Sequence, residues 1–233
     1  MIISCSNQVN QKPTPSIAKS ASSDCRLVKH ELGQSCIPRN PQRIIVTDEN
    51  ILDPTLALGF QPIAAAEQNV AGSRGRHFGD KAKDILSIGK TSQFSIERIV
   101  ELQPDLILGF YINPEIHKLL SETAPTLKIK NIEPSPLKWK QTFVNLAEKL
   151  DRKEQAQTAL NQYQQRVDKL RQQIKQKVGD KTVSVMRFYA SGRVQVETIY
   201  SFSTVIIQEL GLSLPHNYFH FLLIKIHPQY LLV

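Results

Sequence analysis

The sequence lacks long apolar runs, recognisable catalytic groupings and nucleic-acid-binding motifs. No stretch of about 18 consecutive apolar residues occurs, which excludes a membrane-spanning helix from the printed sequence. No Ser-His-Asp, Cys-His or paired-carboxylate arrangement can be placed, so we expect a protein that is not an enzyme. No zinc-finger spacing or basic-aromatic motif is present either, and we expect no nucleic-acid partner.

The net charge of +8 would otherwise suggest a nucleic-acid surface. Ten basic and four acidic side chains lie between residues 137 and 178, and they account for six of the eight net charges. This stretch has helical sequence with a polar face rich in Gln. We interpret the charge as a solvated helix face.

Cysteine is also scarce, with three residues in two groups. Cys25 and Cys36 flank a short segment that carries a Leu32-Gly33 turn signal. This arrangement is consistent with a disulfide formed in an oxidising compartment, and two unrelated thiols are the alternative.

The third cysteine follows Ile2-Ile3-Ser4, and this tetrad resembles a bacterial lipobox, in which the cysteine becomes lipidated. A lipobox normally ends a signal peptide, whereas only four residues precede Cys5. We expect that the start codon is placed too late and that Cys5 carries a lipid anchor. Residues 6–24 are polar and have no periodicity, as in a flexible tether.

From residue 43 onward, short apolar runs alternate with helical patterns. The runs at residues 43–47, 85–88 and 105–109 predict buried strands of one sheet. Ser95 and Ser203 are predicted to cap helices, because a serine oxygen accepts a backbone N–H at a helix start. This rhythm predicts an α/β fold with a largely parallel sheet.

The rhythm breaks after residue 137, where two helical stretches follow each other without a strand between them. In the second, residues 153–178, apolar side chains recur at spacings of three and four and form one stripe. Strands resume at residues 182–188 and 193–198. Two α/β units joined by a long helix is the simplest architecture.

Ordered motifs then point to a family. They are residues 25–30 with the Leu32-Gly33 turn, Cys36-Ile37-Pro38 with residues 41–46, residues 56–62, residues 96–99 with 102–107, Ala124-Pro125-Thr126, Trp139, and the helical stretch 153–163. In this order they resemble the substrate-binding proteins of ABC importers for iron–siderophore complexes. The resemblance extends over about residues 25–214.

The resemblance implies a class III, helix-linked periplasmic binding protein, with two Rossmann-like lobes joined by a long α-helix and a ligand cleft between them. It implies that the protein captures a ferric siderophore at the outer, periplasmic face of the cytoplasmic membrane. The siderophore would then pass to the ABC transporter permease. We expect a lipid-anchored monomer with no cofactor and no metal site of its own.

Ligands of open α/β sheets bind outside the carboxyl ends of the strands. The loops predicted there supply cations and phenols, which suit an anionic iron chelate. The candidate ligand-binding residues are Lys90, Tyr111, Arg74, Arg76, Arg187, Tyr189 and Tyr200, with His77 in the same loops. Lys90 and Tyr111 also lie where the resembling proteins contact ligand, and Glu115 resembles their permease-docking glutamate. For each, an ordinary surface residue is the alternative.

Two further motifs carry less weight. Gly89-Lys90-Thr91 lacks the glycine that a phosphate-binding loop needs five residues earlier, because position 84 is Asp. The histidines near the end of the chain, at positions 216, 220 and 227, lie among apolar residues, and the cleft loops offer only His77 with Glu67 as metal ligands. We therefore expect neither a nucleotide nor a bare metal ion as ligand.

The predicted organisation has five segments. They are a lipobox remnant and tether at residues 1–24, a ligand-binding lobe at 25–136, a helical pair at 137–178, a partial second lobe at 179–215, and an atypical tail at 216–233. The tail departs from the resembling proteins, so we expect an incomplete second lobe. Two alternatives stay open here: a non-functional truncated paralogue, and a binder of heme, cobalamin or a metal ion on the same fold.

Overall fold

A computed structural model describes residues 24–68, 77–130, 138–179, 181–189, 193–215 and 223–225. Cys5, Arg74, Arg76 and the three histidines at positions 216, 220 and 227 lie outside these residues, as do the tether and most of the tail. Among the described helices, none is long and apolar enough to cross a membrane.

Among the described residues, the β structure consists of a hairpin and a large sheet in the first part of the chain and a smaller sheet later in the chain. The hairpin pairs β1 (Cys25–His30) with β2 (Gly33–Pro38) in antiparallel register. The large sheet has six strands in the order β6-β5-β4-β3-β7-β8. Its strands are β3 (Ile44–Val46), β4 (Ala64–Glu67), β5 (Leu86–Lys90), β6 (Gln93–Phe94), β7 (Leu106–Gly109) and β8 (Thr126–Lys128). All its pairings are parallel except that of β5 with β6.

The three predicted strands are present in this one sheet, as β3, β5 and β7, which confirms that part of the prediction. The expectation that all three are buried is wrong for β5, since Leu86 is 46% exposed and only Ile88 of that strand is buried. The reason is position, because β5 is second from the edge of the sheet and its outer neighbour β6 has only two residues.

In the described part of the chain, six α-helices connect and cover the strands. They are α1 (Glu49–Ala57), α2 (Ile96–Glu101), α3 (Pro114–Thr123), α4 (Trp139–Lys149), α5 (Lys153–Val178) and α6 (Phe202–Glu209), and a short 3-10 helix spans Gly79–Ala82. Ser95 caps α2 as predicted, accepting a hydrogen bond from the N–H of Arg98. The predicted cap of α6 is wrong by one half-turn, because Ser201 and not Ser203 accepts from the N–H of Thr204.

The side chains of the sheet alternate between two buried clusters, one on each face. Ile44 and Val46 of β3 contribute to the cluster beneath α1, α4 and α5, whereas Ile45 contributes to the cluster beneath α2 and α3. This alternation follows from the two-residue period of a strand. The first part of the chain is therefore a three-layer α/β/α unit.

Helix α5 is the long element predicted between the two parts of the chain, and it has the predicted bounds of residues 153–178. Its 26 residues extend over about 39 Å at 1.5 Å per residue. Ala156, Ala159 and Leu160 pack on the core of the first unit, and further along Tyr163 and Arg171 contact Glu209 at the end of α6.

A second, smaller sheet follows α5. Its strands β9 (Met186–Phe188), β10 (Arg193–Val196) and β11 (Leu223–Lys225) pair antiparallel in the order β11-β10-β9. Both β9 and β10 are shorter than predicted. All three residues of β9 are exposed, so its side chains do not contribute to a core within the described part of the chain.

Candidate functional site

The large sheet has a point at which the direction of its chain order reverses. From the central strand β3 the chain steps outward through β4 and β5, and it then returns to the other side of β3 with β7 and β8. The loops after β3 and β7 therefore leave the sheet in opposite directions. This geometry opens a crevice at the carboxyl edge, where ligands of such sheets bind.

Asp48 ties these two loops together. One carboxylate oxygen accepts the N–H of Ile51 at 3.1 Å and so caps α1, and the other accepts the N–H of Phe110, just after β7, at 3.0 Å. Asp48 is fully buried. Burial raises the pKa of the Asp48 carboxyl to about 6, against the opposing effect of the N–H groups of Phe110, Ile51 and Asn50.

Gly109 allows the ends of β3 and β7 to come together. A Cβ atom on Gly109 would lie 2.0 Å from Oγ1 of Thr47 and 2.7 Å from Cδ1 of Ile112. Both distances are far below van der Waals contact, so only glycine fits here. The ends of β3 and β7 at the crevice can therefore lie this close only because residue 109 has no side chain.

A cleft of about 1490 Å³ extends from this edge between α1, α4, α5 and the start of α6. Seven Phe, Trp and Tyr side chains line it: Phe78, Phe110, Trp139, Phe143, Tyr163, Tyr200 and Phe202. Among its charged lining residues are the bases Lys81, Arg166 and Lys169 and the acids Glu49 and Asp53. Aromatic surface with a few charged groups is the usual lining of a small-molecule site.

The structure brings only part of the predicted ligand-binding set to this cleft. Tyr200 and His77 line it. Lys90 lies at the end of β5, where its Nζ is 2.9 Å from Oε2 of Glu67. Tyr111 is 61% exposed at the rim, with its hydroxyl 3.5 Å from the amide nitrogen of the lining residue Asn50.

Arg187 lies in β9 of the second sheet, and Tyr189 directly follows that strand. Nη2 of Arg187 forms an ion pair with Oε1 of the buried Glu197 at 3.1 Å. Within the described residues, Oε1 of Glu197 accepts no hydrogen bond. The Tyr189 hydroxyl donates to Oε1 of Gln195 at 2.6 Å. Both side chains are outside the cleft lining found among the described residues.

Several lining residues were not among the sequence candidates, notably Trp139, Tyr163, Arg166, Lys169 and Phe202. The sequence assigned Arg166 and Lys169 to a solvated helix face and used Trp139 only as a family landmark. The apolar stripe of α5 was a usable signal for Tyr163. For the others no local signal exists, because the cleft forms between helices far apart in the chain.

Two other predicted positions are described. Cys25 and Cys36 form a disulfide across the β1–β2 hairpin, with their Cα atoms 5.4 Å apart. Glu115 is exposed in the first turn of α3, behind the Asn113 cap. Among the described residues, no group of three or more His, Cys, Asp and Glu side chains could hold a metal ion.

Comparison with known proteins gives one family and a set of relatives. The family described as "Periplasmic binding protein" matches residues 44–215. A probable siderophore-binding lipoprotein of Bacillus subtilis, YfiY, is 31% identical over 89% of this chain and 63% of its own length. The Fe(3+)-citrate-binding protein YfmC of the same organism is 26% identical over 75% of this chain and 54% of its own length.

Solved structures share the fold. Staphylococcus aureus SirA complexed with staphyloferrin B has a TM-score of 0.66 at 23% identity, covering 83% of this chain and 65% of that one. The siderophore-binding protein FhuD of Vibrio cholerae, bound to Fe3+ and Desferal, has a TM-score of 0.67 at 23% identity, covering 79% and 73%. The predicted fold class is confirmed by these structures, and the chain spans between half and two thirds of the length of the two curated relatives above.

Proposed function

This chain belongs to the periplasmic binding protein family, and from that premise we propose that it captures a ferric siderophore outside the cytoplasm and delivers it to an ABC importer in the cytoplasmic membrane. The observation that carries the proposal is the large cleft at the topological switch point of the sheet. A cleft of about 1490 Å³ has room for a bulky chelate, and it is far larger than a bare ion needs.

The aromatic wall supports a chelate with flat, delocalised rings or carbonyl arms. Phe202 and Tyr163 both stand edge-on to Trp139, with their ring centroids 6.2 Å and 5.0 Å from that of Trp139. Large rigid rings bury ligand surface at little cost in side-chain entropy. The relatives agree in kind, since their names specify siderophore and Fe(3+)-citrate binding.

The charges of the cleft favour an anionic chelate. Lys81, Arg166 and Lys169 outnumber the carboxylates of Glu49 and Asp53 in its lining. Charge-assisted hydrogen bonds to chelate oxygens contribute about 1.5–3 kcal/mol each when water is excluded, so two such bonds decide selectivity. We infer a preference for carboxylate or catecholate chelates over neutral hydroxamates such as ferrioxamine.

Titration of the full chain with ferric citrate, a ferric tris-catecholate and ferrioxamine tests this function. Quenching of Trp139, the single tryptophan, reports binding directly at the cleft wall. We expect submillimolar binding of an anionic chelate and weaker binding at high salt. Binding of none of the three chelates would refute the function, and tightest binding of ferrioxamine would refute the charge argument.

A matched pair of double variants distinguishes the effect of the cations that line the cleft from the effect of the protein's net positive charge. Arg166→Met with Lys169→Met should weaken ferric citrate binding about tenfold, since about 1.4 kcal/mol corresponds to a factor of ten. Lys175→Met with Lys177→Met removes two cations from the exposed end of the same helix and should leave the affinity unchanged. Equal losses in both would show that only long-range charge acts.

The remaining predicted residues stay part of the proposal. Lys90 ends β5, Tyr111 follows β7, Arg187 lies in β9 and Tyr189 follows β9. We propose that they contact the ligand when the protein closes around it. Arg74 and Arg76 are proposed on loop position alone. Their individual replacement by Met, measured with the same titration, tests each one.

Membrane attachment and permease docking are also proposed. Cys5 would carry the lipid, and palmitate labelling of the protein in cells tests this against a Cys5→Ser variant. Glu115 would contact a basic residue of the permease, because it is exposed beside the cleft end of the sheet. A Glu115→Arg variant that binds chelate and still supports full iron uptake would remove the docking role.

A further inference from the structure

Three helices meet at Glu209, the last residue of α6. Oε1 of Glu209 lies 2.8 Å from Nζ of Lys140 on α4, and Oε2 accepts the hydroxyl of Tyr163 on α5 at 2.5 Å. The backbone carbonyl of Glu209 accepts two hydrogen bonds from Arg171 of α5, from Nε at 3.0 Å and from Nη2 at 2.6 Å. We refer to these four residues, together with Trp139, as the helix joint.

The joint engages both oxygens of the Glu209 carboxylate and its backbone carbonyl. Burial by itself raises the pKa of Glu209, but the hydrogen bonds from Lys140 and Tyr163 and the charges of Lys140 and Arg171 outweigh it, so the pKa is lowered. The guanidinium at the end of α6 also satisfies a terminal carbonyl and complements the helix dipole. The partners are 38, 46 and 69 positions away along the chain, so the joint is purely tertiary.

The joint is continuous with the cleft wall. Nζ of Lys140 lies 5.5 Å above the ring centroid of Trp139 and 5.0 Å above that of Tyr163, which places one cation against both rings. Trp139, Tyr163 and Phe202 line the cleft itself. A displacement of Glu209 would therefore also displace Lys140 and Tyr163, and with them the aromatic rings that line the cleft.

Helix α6 has eight residues, so fixing its final residue also fixes its first turn. Phe202 begins the helix, Tyr200 directly precedes its Ser201 cap, and both line the cleft. We propose that Glu209 is a positioning residue for the cleft: by holding the end of α6 against Lys140, Tyr163 and Arg171, it sets Tyr200 and Phe202 opposite Trp139. This inference rests on the proposed function, in which the cleft holds the chelate.

The experiment compares the full chain with Glu209→Ala, Glu209→Gln and Glu101→Ala. Glu101 is the matched control, because it is the exposed last residue of α2 and lies far along the chain from the joint. Iodide quenching without ligand measures the solvent access of Trp139 in the helix joint. Equilibrium dialysis measures the affinity of the cleft for ferric citrate. The two readouts are independent, so each hypothesis can fail by itself.

In Glu209→Ala we expect increased iodide access to Trp139 and a five- to tenfold loss of ferric citrate affinity, on the order of what residues coupled to a site contribute. Glu209→Gln keeps an acceptor for Lys140 and should restore part of both. Glu101→Ala should match wild type. A Glu209→Ala protein with wild-type quenching and wild-type affinity would overturn the proposal.

Two further outcomes have to be distinguished: absence of chelate binding by the wild-type chain, and loss of helical structure in Glu209→Ala. If the wild-type chain binds neither ferric citrate nor the other two chelates, the proposed function fails, and the joint is then judged by Trp139 quenching alone. If Glu209→Ala loses its far-ultraviolet helix signal, Tyr163→Phe replaces it, since that variant keeps the ring and removes one hydrogen bond. Unchanged Trp139 quenching in both Tyr163→Phe and Glu209→Gln would then overturn the proposal.

Discussion

The two parts of the chain that flank the cleft are held in place by different forces. The first side is the three-layer unit, and the second side is the part after α5, which reaches the cleft through Tyr200 and Phe202. On the first unit, β3 and β7 are completely buried, and their carboxyl ends are tied by Asp48 and packed around Gly109. On the second sheet, Met186 and Phe188 of β9 are 51% and 63% exposed, and the candidate ligand residue Arg187 is held by an ion pair with Glu197.

The difference indicates which side of the cleft is preformed. Buried apolar packing is dense and tolerates little displacement, so the first side keeps its geometry without ligand. Ion pairs and hydrogen bonds at partly exposed positions are individually weak. On the second side, α6 therefore depends on the contacts of Glu209, and the second sheet, outside the cleft lining, depends on the Arg187–Glu197 pair. One substitution can release either of them.

The largest effect on stability is expected at Gly109 of the first unit, where there is no space for a Cβ atom. Gly109→Ala should lower the free energy of unfolding by about 3 kcal/mol, because the new methyl group overlaps Thr47 and Ile112. Gly211→Ala is its counterpart after α6, where a φ of +83° strains any other residue by about 1 kcal/mol. Urea unfolding measures both, and a larger loss for Gly211→Ala would reverse the comparison.

A smaller effect is expected at the buried carboxylate. Asp48→Ala removes the cap of α1 and leaves the N–H of Phe110 without its acceptor, which should cost about 2 kcal/mol. Asp84→Ala, at an exposed position of the same unit, should change stability by less than about 0.5 kcal/mol. Chemical denaturation of the two variants side by side measures the contrast.

On the second side, Arg187→Met should have a more modest effect. It leaves the buried Glu197 carboxylate without its ion-pair partner, but Arg187 is itself mostly exposed, so we expect a loss of about 1 kcal/mol. Amide hydrogen exchange in β10 measures this locally. Faster exchange in β3 than in β10 of this variant would contradict the assignment of strong packing to the first unit.

The smallest effect concerns pH and the β1–β2 hairpin. The N–H of Leu32 is donated to Nδ1 of His30, and Nε2 of His30 lies 3.0 Å from Oγ of Ser35, which suits a neutral ring. Burial first, and then the charges of His117 and Lys149, lower the pKa of His30 from 6.5 to about 4.

Because the folded pKa of His30 is depressed, its stabilising contribution is present above pH 6.5 and is lost as the pH falls toward 4. The stability advantage of wild type over His30→Phe should therefore shrink between pH 6.5 and pH 4. Denaturation at several pH values measures it, and an advantage that grows as the pH falls would show the sign to be wrong.

Much of the architecture was predictable from local sequence. The β-branched run at residues 43–47 indicated a buried strand, and the stripe of α5 indicated a long helix with its observed bounds. The Ser95 cap was predictable because capping depends on a few neighbouring residues. The partial exposure of β5 was not, because it depends on how many strands lie outside it.

The candidate site was less predictable than the fold. Of the loop positions predicted at the carboxyl ends of strands, Tyr200 and His77 line the cleft, and their contact with a ligand stays a prediction. Lys90 was expected to offer its charge to a ligand, yet it pairs with Glu67, a partner 23 positions earlier in the chain. Such pairing depends on adjacent strands in the sheet, which residue spacing does not reveal.

The sequence by itself determined the α/β class, the parallel strands of the first unit, the extent of α5 and the family resemblance, because these follow from periodicity, capping and ordered motifs. Only the tertiary structure decided which cations face the cleft, that Asp48 joins the loops after β3 and β7, and that Glu209 holds three helices together. The physical reason is distance along the chain. These contacts join residues 38 to 69 positions apart, and their energy depends on burial and geometry that exist only once the helices and strands have packed.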